Sequence, residues 1–170
     1  MNKSNIIKRL ERSFETFGTR SSSRGDHDLN PGMQPLNELR EAAVLVPLVE
    51  RPNGLTMMLT QRTDHLDHHP GQISFPGGHV EPDDGTAEMA ALREAEEEVG
   101  LERKHIQIVG RLDQYITRTG FTITPVVGLV HPDYTIQPDD FEVAEVFEVP
   151  LSFLLDAKNH RRDSRVYKGT

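Results

Sequence analysis

The sequence has no cysteine among its 170 residues. This absence excludes a disulfide framework, a thiolate metal site and a thiol nucleophile. No apolar run approaches the roughly 20 residues that a membrane-spanning helix requires, and the N-terminus does not show the pattern of a signal peptide. We therefore expect a cytoplasmic protein, monomeric or homodimeric, with no membrane partner.

Positive charge is also scarce, because 19 Lys and Arg residues stand against 27 Asp and Glu residues, for a formal net charge of -8. An acidic chain does not bind nucleic acid through bulk attraction to phosphate, so we expect no nucleic-acid partner. A small phosphate-bearing substrate stays compatible with this charge if a local group reverses its sign. The chain is 35% hydrophobic and 27% charged, which is typical of a globular protein rather than a disordered one.

The N-terminal part differs in composition from the rest. Apolar residues recur at helical spacing over residues 4–17, behind a Ser4 cap, and predict a short amphipathic helix. Residues 18–32 are rich in Ser, Gly, Arg and Asp, which is typical of a linker. We therefore divide the chain into an N-terminal helix with a flexible linker, residues 1–34, and one domain, residues 35–170.

The remaining pattern predicts a mixed sheet with one prominent helix, an α+β fold. Apolar runs and alternating residues predict strands over residues 42–49, 55–62, 72–75, 106–116, 121–130 and 142–149. A period of 3.6 predicts a helix over residues 87–99 that ends at Gly100. Residues 151–155 are predicted as a short helical turn.

The helix predicted over residues 87–99 has two different faces. One is a core-facing stripe of small or aliphatic side chains, Ala91, Leu92, Ala95 and Val99. The other carries Glu94, Glu97 and Glu98, which are neighbours because positions three and four apart meet on a helix surface. Like charges there repel, and a hard divalent cation held between Glu94 and Glu98 would neutralise them. Arg93 could pair with one of these carboxylates and fix its rotamer.

The segment before this helix argues for a site. An acidic run on a helix is usually a solvated face. Here residues 75–78 read Phe-Pro-Gly-Gly, and glycine lets a substrate or a metal-bound phosphate approach the backbone closely. A strand that ends in Gly77 and Gly78, followed by a glutamate-lined helix, indicates metal-assisted attack on a phosphate.

Four histidines lie near this glycine loop, His65, His68, His69 and His79. Their spacing is not that of a zinc site, and their surroundings are typical of turns. We therefore expect them to face solvent or to lie outside the direct ligands of a metal.

Residues 78–101 resemble the signature box of the Nudix hydrolases. That box reads Gly, five residues, Glu, seven residues, then Arg-Glu-U-x-Glu-Glu-x-Gly-U, where U is aliphatic. Residues 93–101 match its second half. The first half departs, because the loop carries one residue more than the box. Counting six residues on from Gly78 reaches Asp84, and either Glu81 or Asp84 could replace the first glutamate of the box.

A second motif resembles the coenzyme A-type branch of the same family. That branch carries Leu-Leu-Thr-x-Arg-Ser/Ala, followed by Arg, Gly and Phe-Pro-Gly-Gly, each after three further residues. Residues 58–63 read Met-Leu-Thr-Gln-Arg-Thr, and Gly71 and residues 75–78 follow in register. Asp67 stands where the branch has arginine, and an aspartate there would weaken binding of an anionic part of coenzyme A. The likeness covers roughly residues 40–168.

The resemblance implies a Nudix pyrophosphatase, which hydrolyses the diphosphate that links a nucleoside to another group. In the coenzyme A-type branch, the products are adenosine 3′,5′-bisphosphate and 4′-phosphopantetheine. Within the family, the alternative substrate is ADP-ribose or another dinucleotide. Outside the enzymes, the alternative is a non-catalytic Nudix-fold module that binds a nucleotide. Such a module would be expected to have lost carboxylates of the box, which this chain keeps.

The resemblance also implies a cofactor and catalytic residues. Mg²⁺ or Mn²⁺ would be bound by Glu94 and Glu98, with Glu97 beside them. Glu97 is the first candidate for the base that takes a proton from the attacking water. Arg93 is the second candidate catalytic residue, because it would hold one of these carboxylates in place.

Further residues complete the predicted site. Arg62 is the candidate for binding an anionic group of the substrate, and Gly77 and Gly78 are predicted to contact the substrate. Glu142 and Glu145 are alternatives to Glu97 as the base.

The family fold is an α/β/α sandwich with a mixed β-sheet. It normally closes with a helix on the sheet face opposite the box helix. The chain stops at Thr170, in what reads as a strand over residues 164–168, so it has no room for that C-terminal helix. We expect the N-terminal helix, a partner chain or missing residues of a longer chain to cover that face.

Overall fold

The computed structural model describes residues 4–8, 24–30, 38–66 and 69–161. Their strands are β1 Arg24–Gly25, β2 Arg40–Arg51, β3 Gly54–Arg62, β4 Ile73–Ser74, β5 Gly77–His79, β6 Ile106–Arg111, β7 Tyr115–Ile116, β8 Phe121–Val130 and β9 Val143–Pro150. Their helices are α1, residues 4–8, then α2 Asp26–Leu29, α3 Ala87–Val99 and α4 Leu151–Leu155. Within these ranges, no helix is both long and apolar enough to span a lipid bilayer.

The sheet is built around β2, the longest strand. β2 runs parallel to β8 along one edge. Along its other edge, its first half pairs with β5 and its second half with β3, both antiparallel. β6 and β7 pair in turn with the outer edge of β8, and β4 and β9 pair with β3. The predicted mixed sheet is confirmed.

Two prolines lie inside the central strands, where a missing backbone N–H would normally break the sheet. Pro47 of β2 falls between the residues that pair with β5 and those that pair with β3. Pro125 of β8 falls between the residues that pair with β7 and those that pair with β6. Both prolines therefore lie where the outer neighbour changes from one strand to the next.

Two apolar clusters cover the two faces of this sheet. Because side chains alternate along a strand, Leu45 and Val126 point to the face covered by α3, and Val46 and Val127 point to the other face. The side chains of Ile6 and Ile7, in α1, pack against the second cluster. The N-terminal helix is therefore one of the elements on the face opposite α3, as one of the three alternatives predicted.

The described residues correct parts of the sequence interpretation. The predicted strand over residues 106–116 is two strands, interrupted where the Leu112 N–H donates to the Pro125 carbonyl at 2.9 Å. Residues 24–30 fall within the predicted linker, yet they form β1 and α2, and β1 pairs with β7. The short β5 was predicted only as a glycine loop, because three residues carry no measurable periodicity.

Some predictions fall outside the described residues. The helix predicted over residues 4–17 is described only for residues 4–8, which are helical. Asp67, His68 and the strand predicted over residues 164–168 also lie outside the described residues.

Candidate active site

Helix α3 is fixed at both ends by local chemistry. The Thr86 side chain accepts a hydrogen bond from the Met89 N–H at 3.2 Å, a typical N-cap. Gly100 ends the helix with φ of 67°, and its N–H donates to the Glu96 carbonyl at 3.0 Å. The predicted bounds of this helix are therefore confirmed.

Small side chains bring α3 close to the sheet. The predicted stripe is buried, and Ala90 is buried beside it. Three of these residues, Ala90, Ala91 and Ala95, are fully buried alanines that pack with Leu45 of β2. Because alanine has only one side-chain carbon, the helix backbone can lie near the strand, and the glutamates beside the stripe reach the edge of β5.

Strand β5 meets two of these glutamates. The Gly77 N–H donates to Oε2 of Glu98 at 3.2 Å. Gly78 lies against the other carboxylate, since a Cβ at this position would be 2.4 Å from Oε1 of Glu94. Any larger residue would collide with Glu94. The glycine loop and the acidic helix, whose contacting residues are 16 and 21 positions apart in the sequence, thus form one site.

Arg93 donates hydrogen bonds to three carboxylates. Its Nε and Nη2 bond Oδ1 and Oδ2 of Asp84 at 2.9 and 3.0 Å. Its Nη1 bonds Oε1 of Glu94 at 3.0 Å and Oε2 of Glu97 at 2.9 Å. Its Nη2 also bonds the His79 carbonyl at 3.0 Å, which ties the helix to the end of β5. These bonds, above all those to Asp84, raise the pKa of Arg93 above its usual range.

The extra loop residue leaves Asp84, not Glu81, opposite this arginine. The Asp84 side chain is 6% exposed, and it also accepts a hydrogen bond from the Glu81 N–H at 2.8 Å. The hydrogen bonds from Arg93 hold the pKa of Asp84 below its usual value. The position left open between Glu81 and Asp84 is therefore occupied by Asp84, and the Glu81 side chain is exposed.

Glu94 and Glu98 are removed from solvent without matching positive charge. The side chains are 16% and 10% exposed. Burial raises the pKa of Glu98 to about 7; the hydrogen bond from the Gly77 N–H and the charge of Arg62 oppose this rise, and the nearby carboxylates of Glu94 and Glu142 add to it. Burial also raises the pKa of Glu94, against the opposing effect of Arg93. The two carboxylates thus lie in a setting that disfavours their charged forms.

Arg62 and Glu142 complete the site from the far side. Arg62 Nη1 lies 4.0 Å from Oε1 of Glu98 and 4.0 Å from Oε2 of Glu142. β3 carries Arg62 at its end, and β9 begins one residue after Glu142, so the pairing of these two strands brings both residues to the helix. The sequence suggested each residue separately, but their proximity depends on strand order.

Other predicted residues lie further from this centre. The side chain of Glu97 is 60% exposed and is held by Arg93 at the rim. Glu145 is exposed and pairs in register with Gln61, whose neighbour Arg62 points to the α3 face, so Glu145 belongs to the other face. The rings of His65 and His79 contact Phe141 and Phe121.

No pattern in the sequence predicted the role of one supporting segment, residues 134–142. Its Gln137 N–H donates to the Val99 carbonyl at 2.8 Å, and its Asp139 N–H donates to the Glu98 carbonyl at 2.9 Å. These bonds satisfy carbonyls at the C-terminal turn of α3. The segment thereby holds Glu142 next to Glu98.

The donor chemistry of this site fits a divalent metal such as Mg²⁺. In the described part of the chain, no three His, Asp or Glu side chains converge closely enough to hold a metal by themselves. Glu94 and Glu98 nevertheless offer hard oxygen donors, and Mg²⁺ commonly binds through one or two carboxylates together with water and substrate phosphates. The five carboxylates of Asp84, Glu94, Glu97, Glu98 and Glu142 face only two guanidinium groups, so a further cation is favoured.

Comparison with known proteins shows the family of this chain. A model of the NUDIX domain matches residues 39–169, and the chain therefore belongs to the Nudix family. A protein named uncharacterized Nudix hydrolase NudL from Shigella flexneri serotype 5b (strain 8401) is 46% identical over 119 residues, 70% of this chain and 61% of that protein. The chain thus spans about three fifths of the length of this relative. NudL of Pectobacterium atrosepticum is 39% identical over 147 residues, 82% of this chain and 76% of that protein.

Solved structures share the fold. A Nudix hydrolase from M. smegmatis, RenU, superposes with a TM-score of 0.59 at 24% identity, over 71% of this chain and 76% of that one. An Ap4A hydrolase from C. elegans superposes with a TM-score of 0.57 at 19% identity, over 72% of this chain and 88% of that one. At these identities the likeness concerns architecture alone, and it confirms the predicted Nudix-type fold of the α+β class.

Proposed function

We propose that this chain is a divalent-metal-dependent Nudix pyrophosphatase that cleaves a diphosphate linking a nucleoside to another group. The observation that carries this proposal is the Glu94–Glu98 pair, desolvated, short of positive charge and in contact with Gly77 and Gly78. A purely structural acidic helix would gain nothing from burying two carboxylates beside each other. A site that binds a cation together with a phosphate gains from the buried carboxylates, which attract the cation, and from the adjacent glycines, which leave space for the phosphate.

Glu94 and Glu98 would hold the cation, Mg²⁺ or Mn²⁺. When bound, such a cation neutralises the diphosphate and lowers the pKa of a coordinated water. Arg93 keeps the Glu94 carboxylate oriented through its bond at 3.0 Å. The backbone of Gly77 and Gly78 leaves space for the diphosphate, because neither residue has a side chain there.

Arg62 and Glu142 would have two further roles, binding of the substrate and transfer of a proton. Arg62 would bind an anionic oxygen of the substrate, since a guanidinium is well suited to phosphate. Arg62 Nη1 lies 4.0 Å from a carboxylate oxygen of Glu98 and 4.0 Å from one of Glu142. At these separations the Arg62 side chain can turn toward a new anion. Glu142, 42% exposed and close to Glu98 through this shared arginine, is better placed than Glu97 to take a proton from the attacking water. Glu97, tied to Arg93 at the rim, stays the alternative base.

Coenzyme A or one of its derivatives is the proposed substrate, and the support for it is the motif over residues 58–63 and 75–78. The proposed products are adenosine 3′,5′-bisphosphate and 4′-phosphopantetheine. The alternative within the family is ADP-ribose or another dinucleotide. One observation supports this alternative substrate: Asp67 replaces the arginine of the coenzyme A-type motif.

The decisive experiment is a panel of pyrophosphates, incubated with Mg²⁺, with Mn²⁺ and with EDTA, followed by mass spectrometry of the products. Coenzyme A should yield the two products named above only when a metal is present. Glu98→Gln should reduce turnover at least 100-fold. Glu96→Gln is the matched control, since Glu96 lies on the same helix but pairs with Arg103. A chain that binds nucleotides but cleaves no member of the panel would be a non-catalytic module.

A further inference from the structure

An exposed aromatic ring stands at the edge of the candidate active site. Phe141 is 64% exposed, the highest exposed fraction among the large apolar side chains of the described residues. Single exposed apolar residues are common on protein surfaces and need no special account. Phe141 differs from such residues in where its ring lies and in how its backbone is held.

The backbone around Phe141 is fixed on both sides. The Phe141 N–H donates to Oδ1 of Asp139 at 2.8 Å. The Phe141 carbonyl accepts from Oγ1 of Thr63 at 2.7 Å, and the Thr63 N–H donates to the Glu142 carbonyl at 3.0 Å. Thr63 is buried at the end of β3. Because the backbone at Phe141 is hydrogen-bonded on both sides, less of its freedom remains to be lost when a ligand binds, which lowers the entropic cost of binding.

A second ring supports the first. The centroids of His65 and Phe141 are 4.8 Å apart, with the ring planes inclined at 58°. This separation and tilt are favourable for a pair of aromatic rings. His65 thus contacts one side of Phe141, and the exposure of Phe141 is on its remaining surface.

The position of Phe141 relative to the carboxylates of the site indicates which part of a substrate its ring would contact. Phe141 directly precedes Glu142, whose carboxylate shares Arg62 with Glu98 at 4.0 Å on each side. If Arg62 and a cation held by the Glu94–Glu98 pair bind the diphosphate, the groups attached to the diphosphate extend from the site toward its edge. A planar nucleobase is the part of such a substrate that gains from an aromatic surface, and base stacking on aromatic side chains is tolerant of base identity.

We propose that Phe141, supported by His65, stacks on the nucleobase of the substrate and sets a preference for diphosphates that carry a nucleoside. This inference rests on the proposed function and deepens it. Arg62, and the cation that Glu94 and Glu98 would hold, recognise the diphosphate, which any pyrophosphate has. Phe141 recognises the base, which only the nucleoside derivatives have.

The first test uses binding rather than turnover. The sequence contains no tryptophan, so Phe141→Trp introduces a single tryptophan at the proposed contact, which can be excited selectively over the tyrosines. Adenosine 3′,5′-bisphosphate should quench its fluorescence saturably, whereas inorganic pyrophosphate should not. Phe153→Trp is the matched control, because Phe153 is 54% exposed on α4, and it should respond to neither probe. Equal responses to the two probes, or none up to millimolar concentration, would overturn the proposal.

The second test measures selectivity. For Phe141→Ala, the ratio of kcat/KM for the best nucleoside substrate to kcat/KM for dimethyl diphosphate should fall about 5- to 100-fold, the range expected for loss of one stacked base. Phe141→Tyr should restore the ratio, whereas Phe141→Leu should not, because it keeps the apolar area but has no ring. His65→Ala should shift the ratio in the same direction by a smaller factor. An unchanged ratio in Phe141→Ala would contradict the inference.

The outcomes of the two proposals are separable. If the unaltered chain cleaves no diphosphate with either metal, the proposed function fails, and the fluorescence titration still decides whether Phe141 meets a base. If the chain cleaves nucleoside diphosphates and Phe141→Ala keeps the full selectivity, only the stacking inference fails.

Discussion

Arg93 and Asp84 face each other through two parallel hydrogen bonds, from Nε to Oδ1 at 2.9 Å and from Nη2 to Oδ2 at 3.0 Å. Such a bidentate pair combines charge with fixed geometry. It leaves Nη1 of Arg93 directed at Glu94 and Glu97. The loop before α3 therefore helps to set the rotamer of a proposed metal ligand, although the loop itself carries no ligand.

We expect Asp84→Ala to impair both stability and activity. Removal of this carboxylate leaves Arg93 without its strongest partner, and the free energy of unfolding should fall by about 1–2 kcal/mol. Turnover should fall about tenfold or more, because Glu94 is held less firmly. Urea denaturation and steady-state kinetics measure the two effects. Asp83→Ala, an exposed neighbour, should change neither, and a similar loss in both variants would contradict this role of the pair.

Gly78 is expected to tolerate no side chain. A Cβ there would lie 2.4 Å from Oε1 of Glu94, so Gly78→Ala should displace this carboxylate and weaken Mn²⁺ binding about tenfold or more. Isothermal titration calorimetry measures the binding, and circular dichroism shows whether the fold persists. Gly85→Ala is the control, since nothing lies within 4 Å of its added Cβ although its φ of 70° makes the substitution mildly strained. Equal Mn²⁺ affinity in the two variants would show that contact with Glu94 is unimportant.

The pH dependence of stability should report Glu98. Burial raises its pKa from 4.5 to about 7, so the folded chain binds this proton more tightly than the unfolded chain does. The corresponding stabilisation is full below pH 4.5 and is lost as pH rises to about 7, by up to about 3 kcal/mol. The free energy of unfolding, measured by denaturation in EDTA, should therefore fall more between pH 5 and pH 8 for the unaltered chain than for Glu98→Gln. Identical falls would refute the raised pKa.

Metal binding should have the opposite pH dependence, because the metal and the proton compete for Glu98. The affinity for Mg²⁺ or Mn²⁺ should rise between pH 5 and pH 8 and level off above the pKa of about 7. Glu98→Gln should bind more weakly and lose most of this pH dependence. Calorimetric titration with each metal at several pH values provides the measurement. An affinity independent of pH in the unaltered chain would remove Glu98 from the set of ligands.

Local signals in the sequence predicted the helix at the centre of the candidate site. The 3.6-residue period and the flanking Thr86 and Gly100 define α3, because capping and periodicity depend on nearby residues. The glycine loop followed by a glutamate face predicted the contact that the structure shows between Gly77 and Glu98. Asp84 could not be separated from Glu81, since one extra loop residue leaves two carboxylates within reach of Arg93.

The parts that escaped prediction depend on long-range pairing. Arg62 and Glu142 meet because β3 pairs with β9, and no local pattern specifies which strands become neighbours. The segment over residues 134–142 shows neither the helical nor the strand period, yet its N–H groups donate hydrogen bonds to carbonyls in the last turn of α3. The position of Phe141 follows from this segment, so the stacking inference could not have been drawn from the sequence.

A last prediction concerns the other end of that segment. The Tyr134 hydroxyl donates to Oε1 of Glu148 at 2.6 Å, and Glu148 also accepts from Arg51 and Thr56. These bonds, above all those from Arg51, lower the pKa of Glu148 to about 2. Tyr134→Phe removes the bond to Glu148 and the bond that the hydroxyl accepts from Arg51 Nη2 at 3.1 Å, and it should lower the free energy of unfolding by about 1–2 kcal/mol. If residues 134–142 position Phe141 and Glu142, it should also raise KM a few-fold. Tyr115→Phe, which removes a bond to Asp26 instead, should affect stability alone, and an equal rise of KM in both variants would show that the effect is not specific to this segment.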